Sequence, residues 1–217
     1  SGTIRRNRLS DFTNIKRNGK IAMKLAENDE LVGVAPCNES DDLLMATRDG
    51  KAIRFAVNAV RVFKGRDSTG VRGIRLLGKD SVVSMSIITD QDQEFVLSVT
   101  ENGYGKRTPV ADYRRTGRGG QGVANIETSD RNGRVMASFT VVEEDQLMLV
   151  TNHGQVIRIR VHGSEHDSIR ITSRKTQGVR LFDVAKDDEE KVVSAGLIRD
   201  ADDDDDDHAD DHTDDHS

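Results

Sequence analysis

The sequence predicts an all-β fold of the propeller type, built from repeated blades of four short strands. Two glycine-containing landmarks recur along the chain at intervals of about 50 residues, a period typical of propeller blades. Short strand-like runs flank each landmark, and no segment has a convincing helical pattern. The composition favours thin packed layers over one deep core, since hydrophobic residues make up 35% of the 217 residues and aromatic residues only 4%.

The first landmark is a turn dipeptide that ends in glycine. Asp49–Gly50, Asn102–Gly103 and His153–Gly154 each follow a strand-like run, as in DLLMATR, and precede a basic strand, as in KAIRFAV. Asp-Gly and Asn-Gly are strong hairpin signals, because type I′ turns need positive φ at both central residues. Ser1–Gly2 before TIRRNRL is a fourth copy, so the first glycines lie 48, 53 and 51 residues apart.

The second landmark is another glycine, which stands before a further strand-like run. Its four copies are Gly19, Gly70, Gly122 and Gly178, and apolar runs such as SVVSMSII and KVVSAGLI follow them. Each unit therefore offers four short strands joined by turns. The predicted units are residues 1–48, 49–101, 102–152 and 153–199.

The stretch RRTGRGGQGVANI contains Gly117, Gly119 and Gly122 in the spacing G-x-G-x-x-G. A dinucleotide site with this spacing needs a preceding strand, a following helix and an acidic residue about 20 residues later. Strand and turn signals follow these glycines instead, and Glu127 and Asp130 come too early. The sequence therefore excludes a nucleotide-binding fold here.

Basic residues recur in phase with both landmarks. Arginine stands four residues after every first glycine, at Arg6, Arg54, Arg107 and Arg158, with further basic neighbours at Arg5, Arg8, Lys51, Lys106 and Arg160. A second basic group stands three or four residues before every second glycine and consists of Lys16, Arg66, Arg118 and Arg174. The remaining candidates near or between these groups are Arg17, Arg61, Lys64, Arg114, Arg115, Arg170 and Lys175.

Equivalent positions of a repeat array fall on equivalent surfaces, so the basic groups are expected to follow one continuous path. Such a path suits the phosphate backbone of duplex DNA. A single-strand binder would need stacking aromatic residues, and only Tyr104 and Tyr113 lie nearby. The alternative is a solvated face that discourages edge-to-edge aggregation. Gly119, Gly120 and Gly122 are expected to let backbone N–H groups approach a phosphate, although a merely flexible turn is the alternative.

These residues resemble the C-terminal domain of DNA gyrase A, which is a β-pinwheel that wraps DNA around its rim. The resemblance covers residues 1–199 and is carried by STGVRGIRLL, TENGYGKRTPVADY, VTNHGQVIRIRV and RKTQGVRLFDV. The family's box, Q-R-R-G-G-K-G, has a degenerate match in TGRGGQG, which keeps Arg118, Gly119, Gly120 and Gly122. The resemblance implies the last four of six blades, without the blade that carries the box.

The resemblance further implies DNA binding and bending without sequence specificity, in support of negative supercoiling. The parent enzyme would be an ATP- and Mg-dependent topoisomerase in the bacterial cytoplasm, with the rest of gyrase A and gyrase B as partners. Neither catalysis nor a cofactor is expected for these residues, and the isolated domain is expected to be monomeric. The alternatives are the related domain of topoisomerase IV, a protein-interaction propeller, and a propeller enzyme with converging carboxylates. The regular repeats and the acidic C-terminal segment favour gyrase.

The C-terminal segment, residues 200–217, contains eleven Asp residues and no Lys or Arg. The net charge of the chain is −6, so residues 1–199 carry +5. We expect this segment to be a disordered tail that competes with DNA for the basic surface. Its His208, His212 and His216 are either incidental or metal ligands on a helix.

The remaining features are weaker indications. Cys37 is the single cysteine, which fits a reducing compartment. No apolar run approaches the roughly 20 residues that would span a bilayer, and no signal peptide is evident.

Overall fold

The computed structural model describes residues 1–163, 168–185 and 189–198. These residues form strands and short 3-10 helices, and they contain no α-helix. The 3-10 helices are Leu9–Phe12, Val57–Ala59 and Val110–Asp112. The strands are β1 (Thr3–Ile4), β2 (Asp42–Thr47), β3 (Lys51–Ala56), β4 (Val71–Arg72), β5 (Val82–Ile88), β6 (Phe95–Thr100), β7 (Tyr104–Pro109), β8 (Val123–Ala124), β9 (Val135–Val141), β10 (Gln146–Thr151), β11 (Val156–Arg160), β12 (Val179–Arg180) and β13 (Val192–Ile198).

The described strands form a series of antiparallel sheets, which we call blades I to IV in chain order. Blade I pairs β1 with β4, blade II has the order β5-β2-β3-β8, blade III has the order β9-β6-β7-β12, and blade IV has the order β13-β10-β11. Blades II and III thus have the four strands that the repeats predict. The prediction of an all-β, propeller-like pinwheel is confirmed.

The fourth, outer strand of a blade comes from far along the chain. In blade II, β8 pairs with β3, with Ala52 opposite Val123. In the same way β4 pairs with β1, and β12 pairs with β7. The predicted unit boundaries at 48/49, 101/102 and 152/153 lie in hairpin turns. Blade II therefore contains strands of three consecutive predicted units: β2 belongs to the first, β3 and β5 belong to the second, and β8 belongs to the third.

Glycine is required where an outer strand approaches the preceding blade. Gly50 and Gly122 both have positive φ, of 84° and 72°. A Cβ at Gly122 would overlap the carbonyl oxygen of Ala52, and a Cβ at Gly50 would overlap that of Ile126. The amides of Asn125 and Ile126 both donate to the Gly50 oxygen, at 2.8 and 3.3 Å. The paired landmarks of the sequence are therefore the two sides of one backbone contact between neighbouring units.

The core consists of apolar layers between neighbouring blades. Alternate side chains of β2 face opposite ways: Leu43 packs between blades I and II, whereas Leu44 packs between blades II and III. A third layer around Leu97 and Leu147 joins blades III and IV. Because β2 is buried on both faces, its sequence lacks the alternation of a half-exposed strand.

The inner and outer strands define an axis side and a rim side. The inner strands β5 and β9 lie against each other, where the Thr140 amide donates to Ser86 Oγ at 3.4 Å. The outer strands β4, β8 and β12 lie at the other edge of their sheets, on the rim. Surfaces near the outer strands of successive blades therefore follow one another around the rim.

Candidate nucleic-acid interface

Three segments, which we call the crossing loops, carry nine of the predicted basic residues. Their described parts are residues 57–70, residues 110–122, and residues 161–163 with 168–178, and each segment connects the third strand of one blade to the outer strand of the preceding blade. Residues 5–19 follow β1 in the same way. Since each crossing loop ends at an outer strand, the loops lie along the rim.

The structure exposes many of the predicted basic residues on or near the crossing loops. The exposed ones are Arg8, Lys16, Arg17, Lys51, Arg61, Lys64, Arg114, Arg115, Arg118, Arg158, Arg160, Arg170 and Lys175. Arg5, Arg6, Arg66 and Arg174 are half-buried. Arg54, Lys106 and Arg107 are buried. The rim thus presents a chain of cations, but the set is smaller than the sequence predicts.

Arg54 lies inside the protein, with 8% of its surface exposed. Its Nε atom donates to Asp42 Oδ2 at 2.8 Å, and its Nη1 atom donates to the carbonyl oxygens of Val110 and Tyr113 at 3.2 and 3.3 Å. Its Nη2 atom donates to Gln91 at 3.0 Å. The guanidinium therefore joins blade II to the start of the second crossing loop and cannot reach a DNA phosphate.

Arg107 occupies the equivalent place in blade III and is 3% exposed. Its Nε atom donates to the Ile169 carbonyl oxygen at 2.7 Å, and its Nη1 atom lies 3.4 Å from Glu143. The expectation that the phase-matched arginines share one exposed surface is therefore wrong for Arg54 and Arg107. Arg54 and Arg107 share a phase because both make the same kind of contact between blades. A residue type can recur at one position of a repeat when that position lies in the interior, just as it can when the position lies on the surface.

Three arginines of the second basic group, which we call the latching arginines, connect consecutive units along the rim. Each one donates to a backbone carbonyl of the preceding unit, two residues after that unit's second glycine. Arg66 donates to Ile21 at 3.3 Å, Arg118 to Arg72 at 3.0 Å and Arg174 to Ala124 at 2.9 Å. Arg118 remains exposed despite this bond. These guanidinium groups hold consecutive units together and keep part of their charge at the surface.

The glycine-rich loop packs on blade I. The Gly119 amide donates to the Gly73 carbonyl oxygen at 2.6 Å, and the Arg75 amide donates to the Gly120 oxygen at 2.8 Å. The Gly119 N–H group is therefore not available to a phosphate, contrary to the expectation. Gly122 serves the backbone contact with Ala52. The glycines thus allow close packing between units, and the charge at this place comes from side chains.

Sequence reasoning missed three exposed arginines on or beside the outer strands. Arg72 ends β4, Arg180 ends β12, and Arg75 follows β4. Arg72 packs beside Gly119 of the neighbouring unit, and its backbone oxygen accepts the bond from Arg118. Arg72 and Arg180 share a phase, two residues after the second glycine, which is the signal that could have found them.

The side chains of Arg5 and Lys106 both donate to backbone carbonyl groups of the crossing loops. The sequence predicts that Lys106 contacts DNA, but this residue has no exposed surface. Its Nζ atom donates to the Ser173 carbonyl oxygen at 2.6 Å. Burial, and secondarily the nearby Arg174, lower the pKa of the Lys106 ammonium to about 8. Burial likewise lowers the pKa of Arg5, whose guanidinium donates to the Ser68 oxygen at 2.5 Å.

Other kinds of site find little support in the described part of the chain. No group of three or more His, Cys, Asp and Glu residues there could hold a metal ion. His162 lies 3.4 Å from Arg107 and 3.5 Å from Ser168. No helix among these residues is long and apolar enough to cross a membrane. The tail histidines lie outside the described residues.

The chain is similar in sequence to DNA gyrase A proteins of several bacteria. The family model described as "DNA gyrase C-terminal domain, beta-propeller" matches residues 1–38, 41–89, 94–141 and 145–199. The DNA gyrase A protein of Rickettsia bellii is 40% identical over 249 residues, covering 94% of this chain and 27% of the relative. The DNA gyrase A protein of Staphylococcus epidermidis is 42% identical, covering 83% of this chain and 20% of the relative. The chain thus spans about a quarter of the length of such relatives.

Solved structures agree on the fold. The C-terminal domain of DNA topoisomerase IV superposes with a TM-score of 0.81 at 22% identity, covering 91% of this chain and 59% of that one. A DNA gyrase A C-terminal domain superposes with a TM-score of 0.76 at 23% identity, covering 92% and 63%. With four matched segments that together cover nearly all of residues 1–199, the chain belongs to the DNA gyrase C-terminal domain family of β-propellers.

Proposed function

We propose that residues 1–199 bind duplex DNA without sequence preference and bend it along the rim. The observation that carries this proposal is the row of exposed cations on consecutive crossing loops and outer strands, among them Arg61, Arg72, Arg118 and Arg170. Duplex DNA presents a regular line of phosphates, so a cationic path that curves around a rim favours bent DNA. The glycines and latching arginines keep this path continuous from one unit to the next.

The positions of the two tyrosines favour duplex over single-stranded DNA. Single-strand binders stack bases on exposed aromatic side chains. Tyr104 and Tyr113 are 3% and 1% exposed, and the Tyr113 hydroxyl donates to Asn125 Oδ1 at 2.5 Å. Neither ring offers a stacking surface. Both serve the core, which also argues against a catalytic role for these tyrosines.

The parent protein, we propose, is an ATP- and Mg-dependent DNA gyrase of the bacterial cytoplasm. Its bound DNA segment would be presented to the rest of gyrase A and to gyrase B for strand passage, which supports negative supercoiling. The relatives named above are gyrase A proteins, which favours gyrase over topoisomerase IV. The isolated domain acts as a monomer, and residues 200–217 reduce its DNA affinity.

Closure of relaxed circular DNA by ligase with the protein bound tests this proposal. If the domain bends DNA around its rim, ligation followed by protein removal leaves a shift in linking number that grows with protein concentration. The shift should vanish at high salt. The logarithm of the protein's affinity for DNA falls by roughly 0.9 for each phosphate that it neutralises and for each tenfold increase in salt concentration. DNA binding with no change in linking number would support binding and contradict a path in which the DNA winds around the rim. Strong preference for one sequence, or affinity that ignores salt, would overturn the backbone mode itself.

A further inference from the structure

Lys106 lies beneath the third crossing loop and holds its backbone. The side chain belongs to β7 of blade III and is completely buried. Its Nζ atom donates to the Ser173 carbonyl oxygen at 2.6 Å and to Thr108 Oγ1 at 3.0 Å. Ser173 stands between Arg170 and Lys175, two exposed cations of the rim. A cation in blade III therefore fixes the loop that carries cations in from blade IV.

Neighbouring bonds from β7 hold the same short stretch. Thr108 Oγ1 donates to the Thr172 carbonyl oxygen at 2.8 Å. The Arg107 amide donates to the Arg170 oxygen at 3.1 Å, and the Thr172 amide donates to the Arg107 oxygen at 2.9 Å. The peptide groups of residues 170–173 are thus fixed against one strand. The directions in which the exposed basic side chains leave the loop depend on these bonds.

The equivalent position in blade I uses the same device. Arg5 stands three residues after the first glycine, as Lys106 does, and its guanidinium donates to the Gly65 carbonyl oxygen. Gly65 and Ser173 both stand five residues before a second glycine. Two crossing loops are therefore held at equivalent carbonyl groups by a cation from the same position of the repeat.

Blade II shows that the cation is not needed to build a blade. Its equivalent residue is Ile53, which is 2% exposed and whose Cδ1 atom would lie 3.7 Å from a Cβ atom at Gly120 of the glycine-rich loop. A buried ammonium is costly, and a hydrophobic residue of similar size often serves stability better. At Lys106 the cost is increased by Arg174, whose charge opposes a second cation nearby. Packing of the core does not explain why residue 106 is a lysine, whereas a role outside the core does.

We propose that Lys106 is a positioning residue for DNA, which holds Ser173 so that Arg170 and Lys175 meet consecutive phosphates. The proposal rests on the DNA-binding function proposed above. Lys106 itself does not touch DNA, because the loop covers it. Its contribution therefore passes entirely through the exposed cations of the loop.

The test compares Lys106→Met with the unchanged chain in duplex binding across a salt series. We expect affinity to fall about fivefold at low salt and the salt slope to decrease by about 0.9 for each phosphate that is no longer neutralised. The thermal midpoint should stay equal or rise, a combination that a merely structural residue would not give. Lys106→Arg should keep most of the affinity. Ile53→Met is the matched control, and its binding should not change.

A double-mutant cycle shows whether the effect passes through the loop. Replacing Arg170 and Lys175 by Ala should weaken binding clearly in the unchanged chain and much less in Lys106→Met. Should Lys106→Met fail to fold, Lys106→Ile takes its place, because Ile occupies the equivalent position in blade II. Unchanged affinity in a folded variant, or fully additive effects in the cycle, would overturn the role of Lys106 alone. Absence of binding by the unchanged chain would overturn the proposed function as well.

Discussion

Arg54 and Asp42 form a buried ion pair in blade II, with 2.8 Å between Arg54 Nε and Asp42 Oδ2. Asp42 also accepts Arg115 of the second crossing loop, at 2.9 Å from its Oδ1 atom. One carboxylate thus connects an interior arginine with a cation of the rim. The pair links the packing of the blade to the surface that we propose binds DNA.

Replacing Arg54 by Ala should lower the free energy of unfolding by about 3 kcal/mol, because Asp42 would remain buried without its main partner. Arg158→Ala is the matched control, since Arg158 has the same phase but is exposed, and it should change stability by less than about 0.5 kcal/mol. Urea unfolding followed by circular dichroism measures both. Equal effects of the two substitutions would contradict the interior role of Arg54.

The contact between Gly122 and Ala52 predicts a second contrast. Gly122→Ala should destabilise the protein by about 1 to 3 kcal/mol, because the residue has positive φ and its Cβ would overlap the Ala52 oxygen. Gly117→Ala, in the same loop, should be tolerated, since no atom lies within 4 Å of its Cβ position. Thermal unfolding of both variants measures the difference. A tolerated Gly122→Ala would mean that the outer strand can move away cheaply.

Arg72 and Arg75 should contact DNA although the sequence pattern missed them. Both are exposed on blade I beside the glycine-rich loop. The double Ala variant should weaken duplex binding, and its salt slope should fall by about 1.8 if each arginine neutralises one phosphate. Arg131 and Arg134, replaced together, remove the same charge elsewhere, and we expect a much smaller effect. Indistinguishable effects of the two pairs would indicate a general charge effect only.

The pKa of Lys106, lowered to about 8, predicts how stability depends on pH. Between pH 8 and 10.5 the unfolded chain binds more protons at this lysine than the folded chain does, so raising the pH favours folding. We expect a gain of about 2 kcal/mol over this range, with allowance for screening. The charged groups that also act on Lys106 are Arg174 and Asp112.

Urea unfolding at pH 7.5, 8.5 and 9.5 measures the part of this gain that falls below pH 9.5, as the difference in unfolding free energy between the unchanged chain and Lys106→Met. Tyrosine titration affects both chains alike and cancels in the difference. A difference that stays constant with pH would show that the lysine is not perturbed by its surroundings.

Deleting residues 200–217 should strengthen duplex binding, most at low salt. The segment carries −11 against +5 for the rest of the chain, and a tethered polyanion competes at a high local concentration. The gain should shrink as salt screens the charges, and it should also shrink from pH 7.5 to 5.5 as His208, His212 and His216 become protonated. Fluorescence anisotropy on one duplex measures both chains. Equal affinities at low salt would leave the tail with no effect on binding.

The sequence by itself determined the repeat, the all-β class and the family. Those features depend on local chemistry, since glycine at positive φ marks every hairpin and strand-like runs flank it. The sequence marks Gly50 as a hairpin turn residue and Gly122 as the glycine before the next strand-like run, and both have positive φ. The sequence also predicted that Arg114, Arg118 and Arg170 of the crossing loops are exposed, because charged residues of loops generally lie on the surface.

Only the tertiary structure decided what each repeated position contacts. The phase shared by Arg54 and Arg158 could not tell an interior position from an exposed one, because a strand at an internal junction and a strand at an open edge have the same sequence pattern. Arg54 is buried since the next blade covers it, and Arg158 is exposed since no described strand pairs with the outer edge of β11. Pairing of β3 with β8 is likewise a long-range contact, about 70 residues apart along the chain, which local propensity does not encode.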